Sequence, residues 1–126
     1  MIDDLLCAHH GVVSTAQLVR IGLSDWEIRR LVDSGRLTRL RRGWFASRTA
    51  RADVRSAVTS GGALSCVSAL KLYGLWTPPY AALHLRRSRR HRKPAPHCRP
   101  YGRELALQQS VDPLGIALLA AVRCRP

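Results

Sequence analysis

Lysine is almost missing from this chain. Lys71 and Lys93 are the two present, against 19 arginines. Acidic residues are also scarce, eight in 126, and only Glu104 and Asp112 follow residue 53. That leaves too few carboxylates for the paired acid and base of a hydrolase. The four cysteines, at 7, 66, 98 and 124, form no C-x-x-C pair, which excludes zinc-ribbon and dithiol redox patterns. His91, His97 and Cys98 are close in sequence but lack a fourth nearby zinc ligand. No phosphate loop or dinucleotide fingerprint occurs. The longest apolar run, Leu114 to Val122, is far too short to span a bilayer. The start, Met1-Ile2-Asp3-Asp4, is acidic where a secretory signal needs a basic n-region. These absences point to a cytoplasmic protein with reduced thiols that is not an enzyme and holds no cofactor or metal.

What is present is clustered positive charge. The formal net charge is +13. Residues 36–51 carry six basic and no acidic groups, and residues 86–103 carry eight and none. A GC-rich genome raises arginine content, but it does not gather the arginines into two segments. A polyanion is the implied partner. The hydrophobic fraction of 46% and the length are those of one globular domain, or of one small domain with an appendage.

The periodicity predicts a mainly α, α+β chain. Ile2 to His10 suits a short helix stopped by Gly11. Ser14 suits an N-cap for a second helix through Ile21, closed by Gly22. Ser24-Asp25-Trp26-Glu27 is a capping box that opens a third helix, 25–34. Ile28, Leu31 and Val32 give that helix an apolar stripe, and Leu23 can staple onto it. Only Gly22-Leu23-Ser24 separates the second and third helices, the length of a helix-turn-helix turn. Leu37–Leu40 and Trp44–Ala46 are β-prone around Arg41-Arg42-Gly43, where Gly43 can supply a positive φ for a hairpin. Three helices followed by a basic hairpin make a winged helix-turn-helix. Further helices are expected over 52–60, from Ser65 or Cys66 to Tyr73, and over 114–122 with Asp112 and Pro113 as cap and first residue. A short strand is expected over 82–85, and residues 86–100 read as a basic, proline-punctuated loop.

The candidate DNA-binding residues follow from this layout. Ser24, Asp25, Trp26, Arg29 and Arg30 lie on the third helix or its cap, where arginine can read guanine edges. Trp26 suits either core or interface. Arg36, Arg39, Arg41 and Arg42 suit a wing on phosphates or in a narrow minor groove. Arg86, Arg87, Arg89, Arg90, Arg92 and Lys93 suit nonspecific phosphate contacts or a solvated loop, since no aromatics are interleaved. Trp44 and Phe45 are expected in the core, closing the hairpin on the helices. His9 and His10 suit a helix end, and Cys66 a small buried position.

The strings His10 to Leu18, Gly22-Leu23-Ser24, Gly35-Arg36-Leu37 and Leu40 to Phe45 resemble the N-terminal winged-helix domain of AbiEi-type antitoxins. So do Ala63-Leu64-Ser65, Ser68-Ala69-Leu70 and Tyr73-Gly74-Leu75. The resemblance implies binding to the operon's own promoter and a nucleotidyltransferase-like toxin as partner. Val111 to Cys124 resembles the linker helix that precedes a very-short-patch-repair-like endonuclease in some relatives with this N-terminal half. Such a nuclease core does not fit in what remains before Pro126, so a truncated relative is expected.

The expected organisation is a winged helix over 1–50, a helical extension packed on it over 51–85, a basic flexible loop over 86–103 and a C-terminal helix within 104–126. The expected function is transcriptional repression or antitoxin-type autoregulation through double-stranded DNA, with no membrane association. The alternatives are the DNA-targeting part of a repair-type endonuclease and a module that binds a protein toxin. A homodimer would suit palindromic operators, although no coiled-coil signature is present.

Overall fold

The computed structural model describes residues 2–80, 82–87 and 107–124. The order of elements is α1 (Ile2–Ala8), β1 (Val12–Ser14), α2 (Thr15–Arg20), α3 (Asp25–Asp33), β2 (Leu37–Arg41) and β3 (Trp44–Ser47). After these come α4 (Ala52–Thr59), β4 (Gly62–Leu64), α5 (Cys66–Leu72), β5 (Leu85–Arg87) and α6 (Leu114–Arg123). The first six elements have the order of a winged helix, so the expected mixed α+β fold is present.

β1, β3 and β2 form a three-stranded antiparallel sheet with β3 in the centre. Val13 faces Phe45, and Val12 faces Ala46. The sheet is covered on both faces, and strand alternation assigns each side chain to one of them. Val13 and Phe45 join Leu18, Ile28 and Leu37 in one core, against which Leu5, Leu6, Leu23 and Leu31 pack. Val12, Trp44 and Ala46 join Val54, Ala57, Val58, Leu64, Leu70 and Ala117 in a second. Both rings are buried, as expected from sequence, but on opposite faces: Phe45 shares a core with Ile28 of α3, and Trp44 shares one with Val54 of α4 and Leu70 of α5.

Local chemistry sets the helix boundaries. At Ser24 the hydroxyl accepts from Glu27 N at 3.2 Å, and the Ser24 amide donates to Glu27 Oε1 at 3.3 Å. A second capping box starts α2, where Ser14 pairs with Gln17. Gly11, at φ +84, lets the chain from α1 to β1 pass against the Ala50 backbone. A Cβ at Gly11 would stand 2.5 Å from Ala50 Cα.

The second half builds a smaller two-stranded sheet. β4 pairs antiparallel with β5, with Ala63 opposite Arg86. On its other edge β4 bonds to the segment before α6: Leu64 N donates to Ser110 O, and Asp112 N donates to Leu64 O, both at 2.8 Å. The strand foreseen over 82–85 thus lies further along, at Leu85–Arg87, because Gly62–Leu64 offers it an edge there. Asp112 is not the helix cap expected of it. Pro113 is the N-cap residue of α6, and the Asp112 carboxylate is turned to Arg86.

Candidate nucleic-acid interface

Helix α3 buries Ile28, half-buries Leu31 and Val32, and turns its opposite side outward. At 100° per residue, Trp26, Arg29, Arg30 and Asp33 share that outer side. All four are exposed, Trp26 at 63%. Trp26 is therefore a surface residue and not part of the core. The Arg30 guanidinium lies 4.9 Å from the centre of the Trp26 ring, an i,i+4 cation–π pair. The pair presents a flat aromatic surface with a cation held on it.

The helix itself has little power to attract phosphate. It holds Arg29 and Arg30 against Asp25, Glu27 and Asp33. Asp25 and Ser24 are exposed at its start. The Ser24 hydroxyl is engaged with Glu27, donating to Oε1 at 3.1 Å as well as accepting from the amide. Cationic attraction comes from the sheet beside it.

Leu37 and Phe45 of the wing strands share a core with Ile28 of α3, which fixes the wing against the helix. Arg39 and Arg42 are exposed. Arg42 lies in the turn with Gly43, whose φ of +83 tightens the hairpin as expected. Arg36 is exposed and touches Asp3 of α1 at 3.4 Å, a surface pair of small energetic value.

Arg41 is different. Its Nε donates to Val58 O at 2.7 Å, and its guanidinium lies 5.4 Å from the Trp44 ring centre. It is half-buried, and burial lowers its pKa from the ordinary arginine value. Arg41 ties the wing to the end of α4 and has less freedom to meet DNA than the sequence suggests.

The second basic segment divides. Arg86 is buried on β5, where Nε meets Asp112 Oδ2 at 2.7 Å and Nη2 meets Oδ1 at 2.8 Å. A forked pair of this kind engages both carboxylate oxygens. The nonspecific phosphate contact expected of Arg86 is overturned, because its guanidinium is inside the protein. Arg87 is half-buried, and its Nε donates to Ser60 O at 3.0 Å. Arg89, Arg90, Arg92 and Lys93, with His91, His97 and Cys98, lie outside the described residues.

His9 stands just past the end of α1, as expected. Its Nε2 lies 3.3 Å from Gln17 Nε2, so the neutral ring accepts from the amide. Burial, and then the neighbouring His10, lower its pKa from the ordinary 6.5.

Sequence spacing concealed one grouping. Cys66, His84 and Cys124 come together, with their ligand atoms within 4.8 Å of one another. Separations of 18 and 40 residues match no metal motif, so only the fold reveals it. No helix among the described residues is long and apolar enough to cross a membrane.

No curated protein matches the chain. The strings from Ala63 to Leu75 lie beyond the stretch that a family model recognises. Residues 1–48, which contain α1 through the wing, match the family described as transcriptional regulator, AbiEi antitoxin.

Proposed function

We propose that this protein is a sequence-specific double-stranded DNA binder that represses its own promoter in the manner of an antitoxin. Helix α3 enters the major groove, where Arg29 and Arg30 reach base edges and Trp26 holds Arg30 in place. Arg39 and Arg42 of the wing, with Arg36 beside them, meet phosphates or a narrow minor groove. The observation that carries this reading is the pairing of an outward Trp26–Arg30 face with an exposed arginine wing fixed to the same core. The match of residues 1–48 to antitoxin regulators supports the same function.

The partners are duplex DNA and, by analogy with the family, a nucleotidyltransferase-like toxin. The protein works as a binder and not as an enzyme. The test is fluorescence anisotropy against the chain's own upstream DNA and a scrambled duplex at two salt concentrations. Preference for its own DNA by a factor of about a thousand or more is expected of a regulator. Equal binding to both duplexes, collapsing with salt, would reduce the protein to a basic surface.

A further inference from the structure

We propose that Cys66, His84 and Cys124 form a zinc site that fastens the end of α6 to α5 and β5. The three residues come from three elements: the first position of α5, the approach to β5 and the residue after α6. Cys66 is fully buried, His84 is nearly so, and Cys124 is half-buried. Two thiolates and an imidazole are donors that suit Zn2+. With both thiols deprotonated, they neutralise the ion, which lets it sit in a buried place.

The geometry is close to a coordination sphere. Cys124 Sγ lies 3.5 Å from His84 Nδ1. A tetrahedral zinc with Zn–S near 2.3 Å and Zn–N near 2.0 Å sets its sulfur and nitrogen ligands about 3.5 Å apart. The three ligand atoms all fall within 4.8 Å of one another, so modest side-chain rotation closes the remaining gap.

The backbone around the site is held in place. His84 N donates to Ser68 Oγ at 2.8 Å, and Ser65 N donates to His84 O at 3.1 Å. The Tyr80 ring meets the His84 ring edge-on at 5.5 Å. Cys66 has φ +56, a left-handed conformation uncommon outside glycine. The preceding Ser65 is fully buried, and its hydroxyl has no hydrogen-bond partner among the described residues.

Binding exchanges two thiol protons for one Zn2+, so affinity falls as pH falls. The ion joins residues 18 and 40 positions apart and stabilises the folded chain. The site is independent of the DNA-binding function, since none of the three residues belongs to α3 or the wing.

The test titrates the reduced full chain with Co2+ and then displaces it with Zn2+. Expected are thiolate-to-cobalt charge-transfer bands that Zn2+ abolishes, and a melting temperature that rises with Zn2+. Cys124→Ser, at the edge of the fold, should weaken binding by a factor of about 100 or more, whereas Cys7→Ser on α1 should leave it intact. Zinc-edge X-ray absorption on the unmodified protein needs no variant: two or more sulfurs with an imidazole support the site. Absence of thiolate bands, bands that persist in Cys124→Ser, or an all-nitrogen-and-oxygen shell would overturn it. So would an intact mass two hydrogens lighter from a Cys66–Cys124 disulfide in protein kept under reductant.

Discussion

Trp44 and Phe45 are consecutive residues of β3 that lie in different hydrophobic cores, on opposite faces of one sheet. Truncating either removes a large buried ring, and a loss of about 3–5 kcal/mol is expected for each alanine variant. The two differ in place. Phe45→Ala should raise amide exchange in α3 first, and Trp44→Ala in α4 first. Equal loosening of both helices in both variants would show that the sheet does not separate the cores.

Arg86 and Asp112 form a buried forked ion pair between β5 and the start of α6. Removing one partner leaves the other charged and desolvated, so Arg86→Ala or Asp112→Asn should cost about 3–5 kcal/mol in chemical denaturation. Replacing both with apolar residues should be far milder. At equal folded fraction, DNA affinity should not change. A weaker DNA complex with unaltered stability would return Arg86 to the interface.

The interface arginines separate by salt. Arg39→Ala with Arg42→Ala should weaken binding to every duplex and flatten the plot of log affinity against log salt by about 2. Arg29→Ala or Arg30→Ala should relax sequence preference by about 1–3 kcal/mol while leaving that slope near its original value. Trp26→Ala should act in the same direction as Arg30→Ala. Arg41→Ala should lower stability first, because its bond to Val58 O is lost. Binding unchanged across the first two sets would refute docking through α3 and the wing.

His9 makes stability sensitive to acid. Its folded pKa is depressed, chiefly by burial, so the unfolded chain binds the proton more readily. The contribution of neutral His9 is fully present above the unfolded value near 6.5 and is lost as pH falls from there towards the folded pKa. Protonation would also set a donor against the Gln17 amide. Urea midpoints measured from pH 7.5 down to 5 should fall less steeply for His9→Gln. Identical slopes in the two proteins would remove His9 from the account.

Much of the first half was legible because its signals are local. The Ser24–Glu27 box, the Ile28–Leu31–Val32 stripe and the Gly43 turn each act within four residues, and each appears where the periodicity predicts it. β1 was missed. Its three residues are all buried, because helices cover both faces of the sheet, so Val12-Val13-Ser14 shows no alternation of apolar and polar positions. β4 was missed for the same reason, and its edge in turn draws β5 beyond its expected place.

Local spacing and composition set the order of the helices, their caps, the basic wing and the two clusters of charge. These depend on spacings of a few residues and on composition, which any conformation of the chain retains. Which arginines face solvent depends instead on long-range packing. Arg41 and Arg42 are adjacent, yet one is tied to Val58 and the other is exposed. Arg86 stands in the most basic run of the chain, yet it is buried against a carboxylate 26 residues away. The same holds for Cys66, His84 and Cys124. Contacts over such separations exist only after the intervening chain has closed, so no local pattern announces them.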